Sequence, residues 1–309
     1  MSAAPRSDFR AVLIPFIIYT AIWGGTWLVI RDQIGTVPPQ WSVAYRFILA
    51  AFAMALVALA RGERLAIGRK AWPAILFLGT FQFSINFNAV YLAERFITSG
   101  VVATMFALLL VPSSLLGWAM LGQRPTRRFA AGSAVAIAGV ALLLSHELAD
   151  SRYTSEQVFA GVGFTVLGML GASAANVFSA RPQIQHLPVF SLLAWSMTAG
   201  AALDVALAFA VAGPPVIDWS PRYWVGLFYL SIFASVVAFS LYYPVVRRIG
   251  PAKAAYSSMI VPIVAMALST MFEGYRWTLT TVGGVALVLA GMALALGRGR
   301  PKIAPAEAG

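Results

Sequence analysis

The side chains that could do chemistry in this chain sit in the middle of long apolar runs. Trp23-Gly24-Gly25-Thr26-Trp27 sets two flat aromatic walls, each with one N–H donor, around a pair of glycines that let a ligand or a backbone come close. Gln82, Ser84, Asn86, Asn88 and Tyr91 follow in a later run, with Gln82 and Asn86 on one helical face. An amide both donates and accepts, which suits a zwitterion or another amide, and Asn86 is the deepest of the set. Thr104 and Met105 precede Pro112, and Tyr256, Ser257 and Met259 precede Pro262. Ser173 and Asn176 share a face, as do Ser231 and Ser235. This is the chemistry of gripping and releasing a small molecule. Each group also has a plainer role, in helix–helix hydrogen bonds or in packing notches made by small residues.

Covalent chemistry has little to build on. Hydrolysis needs a nucleophile with a base, or a metal. The chain has no cysteine, no H-E-x-x-H motif and only two histidines, His146 and His186, both in expected connections. No cofactor or metal is expected.

The elements that must position these groups are membrane helices. The 309 residues are 60% hydrophobic and 11% charged, far from the balance of a water-soluble domain. Ten apolar runs are each long enough to cross a bilayer: about 11–31, 39–60, 72–92, 96–121, 127–145, 158–180, 189–212, 222–246, 251–272 and 277–297. The runs are continuous rather than alternating, which excludes a barrel of strands. Arg6 and Arg10 before the first run resemble the start of a signal peptide. The run is too long for one and has tryptophans where a cleavage site would need small residues, so an uncleaved first helix is expected.

The net charge of +11 is not a nucleic-acid footprint, because it is sorted across the spans. With the N-terminus inside, 16 of the 22 Lys and Arg fall in inner segments and five in outer ones, while Arg46 lies within the second run. Positive loops resist translocation, so both termini are expected in the cytoplasm.

The chain also repeats itself. Pro112 precedes Gln123 by the spacing at which Pro262 precedes Glu273, and Thr126, Gly132 and Gly139 match Thr278, Gly284 and Gly291. Five spans is an odd number, so the two copies must enter the membrane from opposite sides. The expected fold is therefore all-α and integral to the membrane: ten transmembrane helices as two inverted five-helix repeats. The copies are residues 11–146 and 158–297, joined by an outer loop at 147–157, with cytoplasmic ends at 1–10 and 298–309. Inverted repeats with proline- or glycine-broken spans at matched positions mark carriers. Pro112 and Pro262 are the expected hinges. Gly132 and Gly139, like Gly284 and Gly291, share a face and suit a tight scaffold. Arg46 and Asp204 lie at equal depth in matched spans. They either pair or find separate partners, and the reach of long side chains favours the second.

The W-G-G-T run, Arg46-Phe47, Y-L-A-E-R-F-I-T-S-G at 91–100, Y-Y-P-V-V-R-R-I-G at 242–250 and the Pro–acid–Gly spacing closing each half resemble the drug/metabolite transporter superfamily, specifically its EamA-type exporters. Gln123 stands where the family carries an acid, so any acid role is lost in the first half. The resemblance implies export or exchange of small metabolites through a cavity among helices 1, 3, 4, 6, 8 and 9. The chain is most similar to exporters of aromatic and other neutral amino acids in an inner membrane. On that reading Trp23, Thr26, Asn86, Tyr91, Thr104, Met105, Asn176, Ser235, Tyr256, Ser257 and Met259 line the site. The partners are a small substrate and the lipid bilayer, and one chain suffices. The scarcity of cations within the spans argues against anionic sugar phosphates. Multidrug export, a passive channel and an intramembrane enzyme are the competing functions, and proton coupling and facilitated diffusion both stay open.

Overall fold

A computed structural model describes residues 6–122, 124–149, 153–249 and 257–296. Among the described residues all regular structure is helical. Among the described residues, nine helices are long and apolar enough to cross a membrane: α1 (Ala11–Asp32), α2 (Pro39–Ala60), α3 (Arg69–Ala93), α4 (Ser99–Met120), α5 (Arg127–Leu148), α6 (Ser155–Ser179), α7 (Val189–Ala212), α8 (Pro221–Val245) and α10 (Leu279–Leu296). Between the last two lies a shorter apolar helix, α9 (Ser257–Phe272). In lipid every backbone polar group must be satisfied within its own element, and helices achieve this for unbroken apolar runs. Phe52, Phe159 and Leu279 stand exposed on the outside of the bundle. Such side chains are a liability in water and a contact surface in a bilayer.

Two helix pairs unite matched members of the halves, and both run antiparallel. Trp41, at the start of α2, donates through Nε1 to the Gly213 carbonyl just past α7, at 3.2 Å. Trp195, early in α7, donates to the Leu65 carbonyl beyond the end of α2, at 2.7 Å. In the other pair glycine meets glycine. A Cβ added at Gly132 of α5 would lie 2.5 Å from the Gly291 carbonyl of α10, and one at Gly139 would lie 2.6 Å from that of Gly284. The four glycines that share faces in the sequence thus face one another, backbone to backbone.

The matched helices α3 and α8 depart from α geometry at matched places. Each widens into a π-helical segment, Gly79–Ile85 in α3 and Tyr229–Val237 in α8. The Asn86 N–H reaches back to the Phe81 carbonyl, and that of Ala238 to Phe233, five residues away in each case. Such segments occur often at functional positions, because they release carbonyls from the regular ladder. In α4 a 3₁₀ turn, Ala107–Leu109, lies directly ahead of Pro112, and its Leu109 carbonyl accepts Ser173 Oγ of α6 at 3.3 Å. Proline removes one N–H and crowds the preceding turn, which accounts for the local change of winding. Pro262 sits inside α9 and is buried.

The buried apolar residues form two main cores, and neither core belongs to one half of the chain. The first is built by α1, α2, α3, α7 and α8, around Phe47, Met54, Phe83, Met197 and Leu230. The second is built by α4, α5, α6, α9 and α10, around Val101, Met105, Leu143, Met266 and Val288. Trp27 and Phe106 pack against both. They mark a seam between two bodies that cuts across the sequence repeat.

Several helix ends differ from the sequence reading, and His146, expected in a connection, lies in the last turn of α5. Glu147, placed by that reading at the start of the outer loop, belongs to the last turn of α5, which continues to Ala149. It is buried and accepts from Thr98 Oγ1 at 2.9 Å, a bond that draws the helix end onto the start of α4.

Candidate functional site

At the seam, groups from four helices converge. The rings of Trp27 (α1) and Phe106 (α4) are 5.0 Å apart. Phe106 and Asn86 (α3) both border Gly168 of α6, where an added methyl would lie 3.2 Å from Phe106 Cζ and 3.4 Å from Asn86 Oδ1. The π segment ends at Asn86, and its amide Nδ2 bonds weakly back to the Gln82 carbonyl at 3.4 Å. Two polar atoms here have no hydrogen-bond partner among the described residues, although both are buried: Trp27 Nε1, a donor, and Asn86 Oδ1, an acceptor. Buried polar groups are almost always satisfied, so an unmatched donor and acceptor beside aromatic walls make this seam a candidate site.

The residues expected at the site from the sequence divide. Asn86 lies at this seam. Met105 is buried in the second core next to Phe106. Trp23 is already committed: its Nε1 donates to the Ala234 carbonyl freed by the π segment of α8, at 3.1 Å, and its ring meets Tyr19, Phe239 and Tyr242. Thr26 and Thr104 bond back to their own helices, at Ile22 and Gly100. Ser235 donates to the Leu230 carbonyl at 2.9 Å and accepts from Arg46 Nε at 3.2 Å. Asn176 is exposed on α6, Ser257 is buried at the start of α9, and Met259 is half-buried against the second core. Tyr256 lies outside the described residues. The sequence reading named Trp27 with Trp23 as an aromatic wall but kept only Trp23 in the site, and it did not single out Phe106. The signal for Trp27 was present, since it repeats Trp23 one turn later on the same face.

Tyr91 lies elsewhere, at one end of the bundle, where it donates to Gln33 Oε1 at 3.3 Å. This end is polar and links the two bodies. Arg31, near the end of α1, donates to Tyr153 Oη at 2.9 Å and sits 4.0 Å from Glu273, beyond α9. Glu273 also accepts from Ser99 Oγ at 2.7 Å and from Ser269. A recess of about 470 Å³ opens here, lined by Leu28, Val29, Arg31, Asp32, Thr98, Tyr153, Arg222, Phe272 and Glu273. These contacts tie the two bodies together at this end.

Arg46 and Asp204 take separate partners. Arg46 is buried, bonded to Ser235, with its guanidinium 4.3 Å from the centre of the Phe87 ring. Asp204 accepts from Asn88 Nδ2 at 2.8 Å. No group of His, Asp or Glu among the described residues is placed to hold a metal ion.

The sequence pattern of the EamA-like transporter family matches residues 11–145 and 159–297. The chain belongs to the EamA-like transporter family. The family's pattern thus matches this chain twice. The chain is 26% identical over 299 residues to an uncharacterized inner membrane transporter, YedA, of Escherichia coli (strain K12), covering 94% of this chain and 93% of that one. It is 24% identical over 299 residues to a probable amino-acid metabolite efflux pump of Salmonella typhimurium, covering 93% of each. A solved structure covering 94% of this chain and 97% of its own shares the fold, with a TM-score of 0.67 at 21% identity. As a member of the EamA-like transporter family the chain is a membrane transporter and not an enzyme.

Proposed function

We propose that this EamA-like transporter exports aromatic and other neutral amino acids by alternating access at the seam. The observation that carries the reading is the pairing of Trp27 Nε1 and Asn86 Oδ1, both buried and unmatched, beside the rings of Trp27 and Phe106. An amino acid presents an ammonium donor, a carboxylate acceptor and a side chain that can lie against aromatic rings. The printed name of the Salmonella relative, an amino-acid metabolite efflux pump, supports the same class.

On this reading the chain has ten transmembrane helices in two inverted halves, with α9 completing the second. The antiparallel pairing of α2 with α7 and of α5 with α10 supports the inversion. The bias of basic residues supports cytoplasmic termini and, with them, an outer location for the Arg31 end. The relative named as an inner membrane transporter supports that location. The two cores rock about the Trp27–Phe106 contact, and one chain completes the site.

A tracer panel in vesicles containing the purified protein tests this. Neutral amino acids are expected to exchange with saturation, and unlabelled substrate on the far side should accelerate the flux. Flux of cationic dyes alone would make the protein a drug exporter. Flux without acceleration from the far side would make it a channel.

A further inference from the structure

Glu94 directly follows α3, and its side chain is completely buried. Neither carboxyl oxygen has a hydrogen-bond partner among the described residues. The chain changes bodies at this point: Val90 and Tyr91 pack in the first core, Ala93 and Ile97 in the second. Glu94 therefore lies on the seam, at the polar end. Charged groups act on it from three neighbouring segments: Glu273 beyond α9, Arg31 of α1 and Arg46 of α2. Tyr91 is the titratable group one turn back on its own helix. Glu147 and His146 close α5 at the same end, with Glu147 bonded to Thr98. Arg31 is engaged with Tyr153 and Glu273, and Arg46 bonds Ser235 through Nε while its Nη1 has no partner among the described residues.

A dry carboxylate without donors is strongly disfavoured, and such a group takes up a proton instead. We propose that Glu94 is a proton-binding site of the transport cycle, loaded while the Arg31 end is shut and emptied when that end opens. Opening parts Arg31 from Tyr153 and Glu273 and admits water. The O–H bond of Glu94 then breaks, the proton passes to water, and the electron pair stays on a carboxylate oxygen facing the freed guanidinium. Closure reverses the step. Acid on that side therefore holds the end shut. The inference rests on the alternating-access reading above, and it adds a group through which the pH on that side would act.

The chain has no native cysteine, so a single Thr98→Cys reporter in the recess reads opening by its labelling rate in vesicles. The thiol's own titration is common to every background compared. With Glu94 present, acidification from about pH 8 to about pH 5 is expected to slow labelling several-fold more than in the Glu94→Gln background, which should stay slow throughout. Identical pH profiles in the two backgrounds overturn the proposal. Should Glu94→Gln not yield monodisperse protein, Glu94→Asp carries the test: a shifted midpoint supports the assignment, and an unmoved one removes it. Counterflow of tritiated phenylalanine, run on the same vesicles, reports on the transport reading separately. Its absence in wild-type protein would sink that reading, and the labelling comparison would still decide on Glu94.

Discussion

Helices α5 and α10 and helices α3 and α8 are both matched pairs from the two halves, and they are built in opposite ways. In the first pair four glycines bring two regular helices into backbone contact. In the second pair each helix gives up regular winding over a π segment and passes carbonyls to other groups, as Ala234 does to Trp23 and Leu230 to Ser235. Close backbone packing resists deformation, because interiors at crystal density transmit strain rather than absorb it. A widened turn has a second winding available to it. On the proposed alternating-access reading the difference separates a frame from moving parts: α5 with α10 holds one body together, while α3 and α8 carry groups at the seam and its polar end.

That contrast can be broken most forcefully at the frame. Gly291→Val places a side chain against the Gly132 carbonyl, with no room for it. The expected cost is about 3 kcal/mol of stability, read as a lower thermal unfolding midpoint, with transport per folded molecule unchanged. A fully stable variant would mean that α5 and α10 slide freely. In the moving pair, Ser235→Ala strips Arg46 Nε of its acceptor within a buried site. It should lower stability by about 1.5 kcal/mol.

Asn86→Ala should act on function rather than fold. It removes one weak bond to Gln82 and the acceptor at the seam. Substrate affinity should fall about tenfold, the equivalent of about 1.4 kcal/mol, with an unfolding midpoint close to wild type. Trp27→Phe, which keeps the ring and loses the donor, should follow it. Arg31→Gln loosens the polar end and should raise labelling of a Thr98→Cys reporter about fivefold, as expected for loss of about 1 kcal/mol from a partly exposed pair. The smallest effect sharpens the comparison by contrast. Ser145→Ala on exposed α5 removes only a bond within its own helix, and should change stability by less than about 0.5 kcal/mol.

The apolar runs and the glycine faces were legible in the sequence, because hydropathy and a seven-residue spacing need no tertiary information. The membrane class followed from them, and the resemblance to the family rested on the ordered motifs at 23–26, 46–47, 91–100 and 242–250 and on the Pro–acid–Gly spacing. The π segments were not legible, since no residue type marks Gly79–Ile85 or Tyr229–Val237. The exchange of roles between Trp23 and Trp27 was hidden for a related reason. One turn apart, they look equivalent along the helix, and only the Ala234 carbonyl reaching one of them distinguishes a packing residue from an unmatched donor. Tyr91 was drawn into the central site by its position in a polar run, but it lies only two residues before the end of α3 and bonds to Gln33 there. Glu94 passed unremarked inside a familiar motif, because a sequence shows that a carboxylate is present and not that its donors are missing.

Each apolar core draws on both halves of the chain, and this constrains how the protein is made. When α2 emerges from the ribosome its partner α7 has not been synthesised, and α5 waits in the same way for α10. The early helices must be inserted singly and held by lipid, or by an insertion chaperone, until translation is nearly complete. A polypeptide cut between α5 and α6 should yield fragments that are degraded when expressed alone and rescued when expressed together.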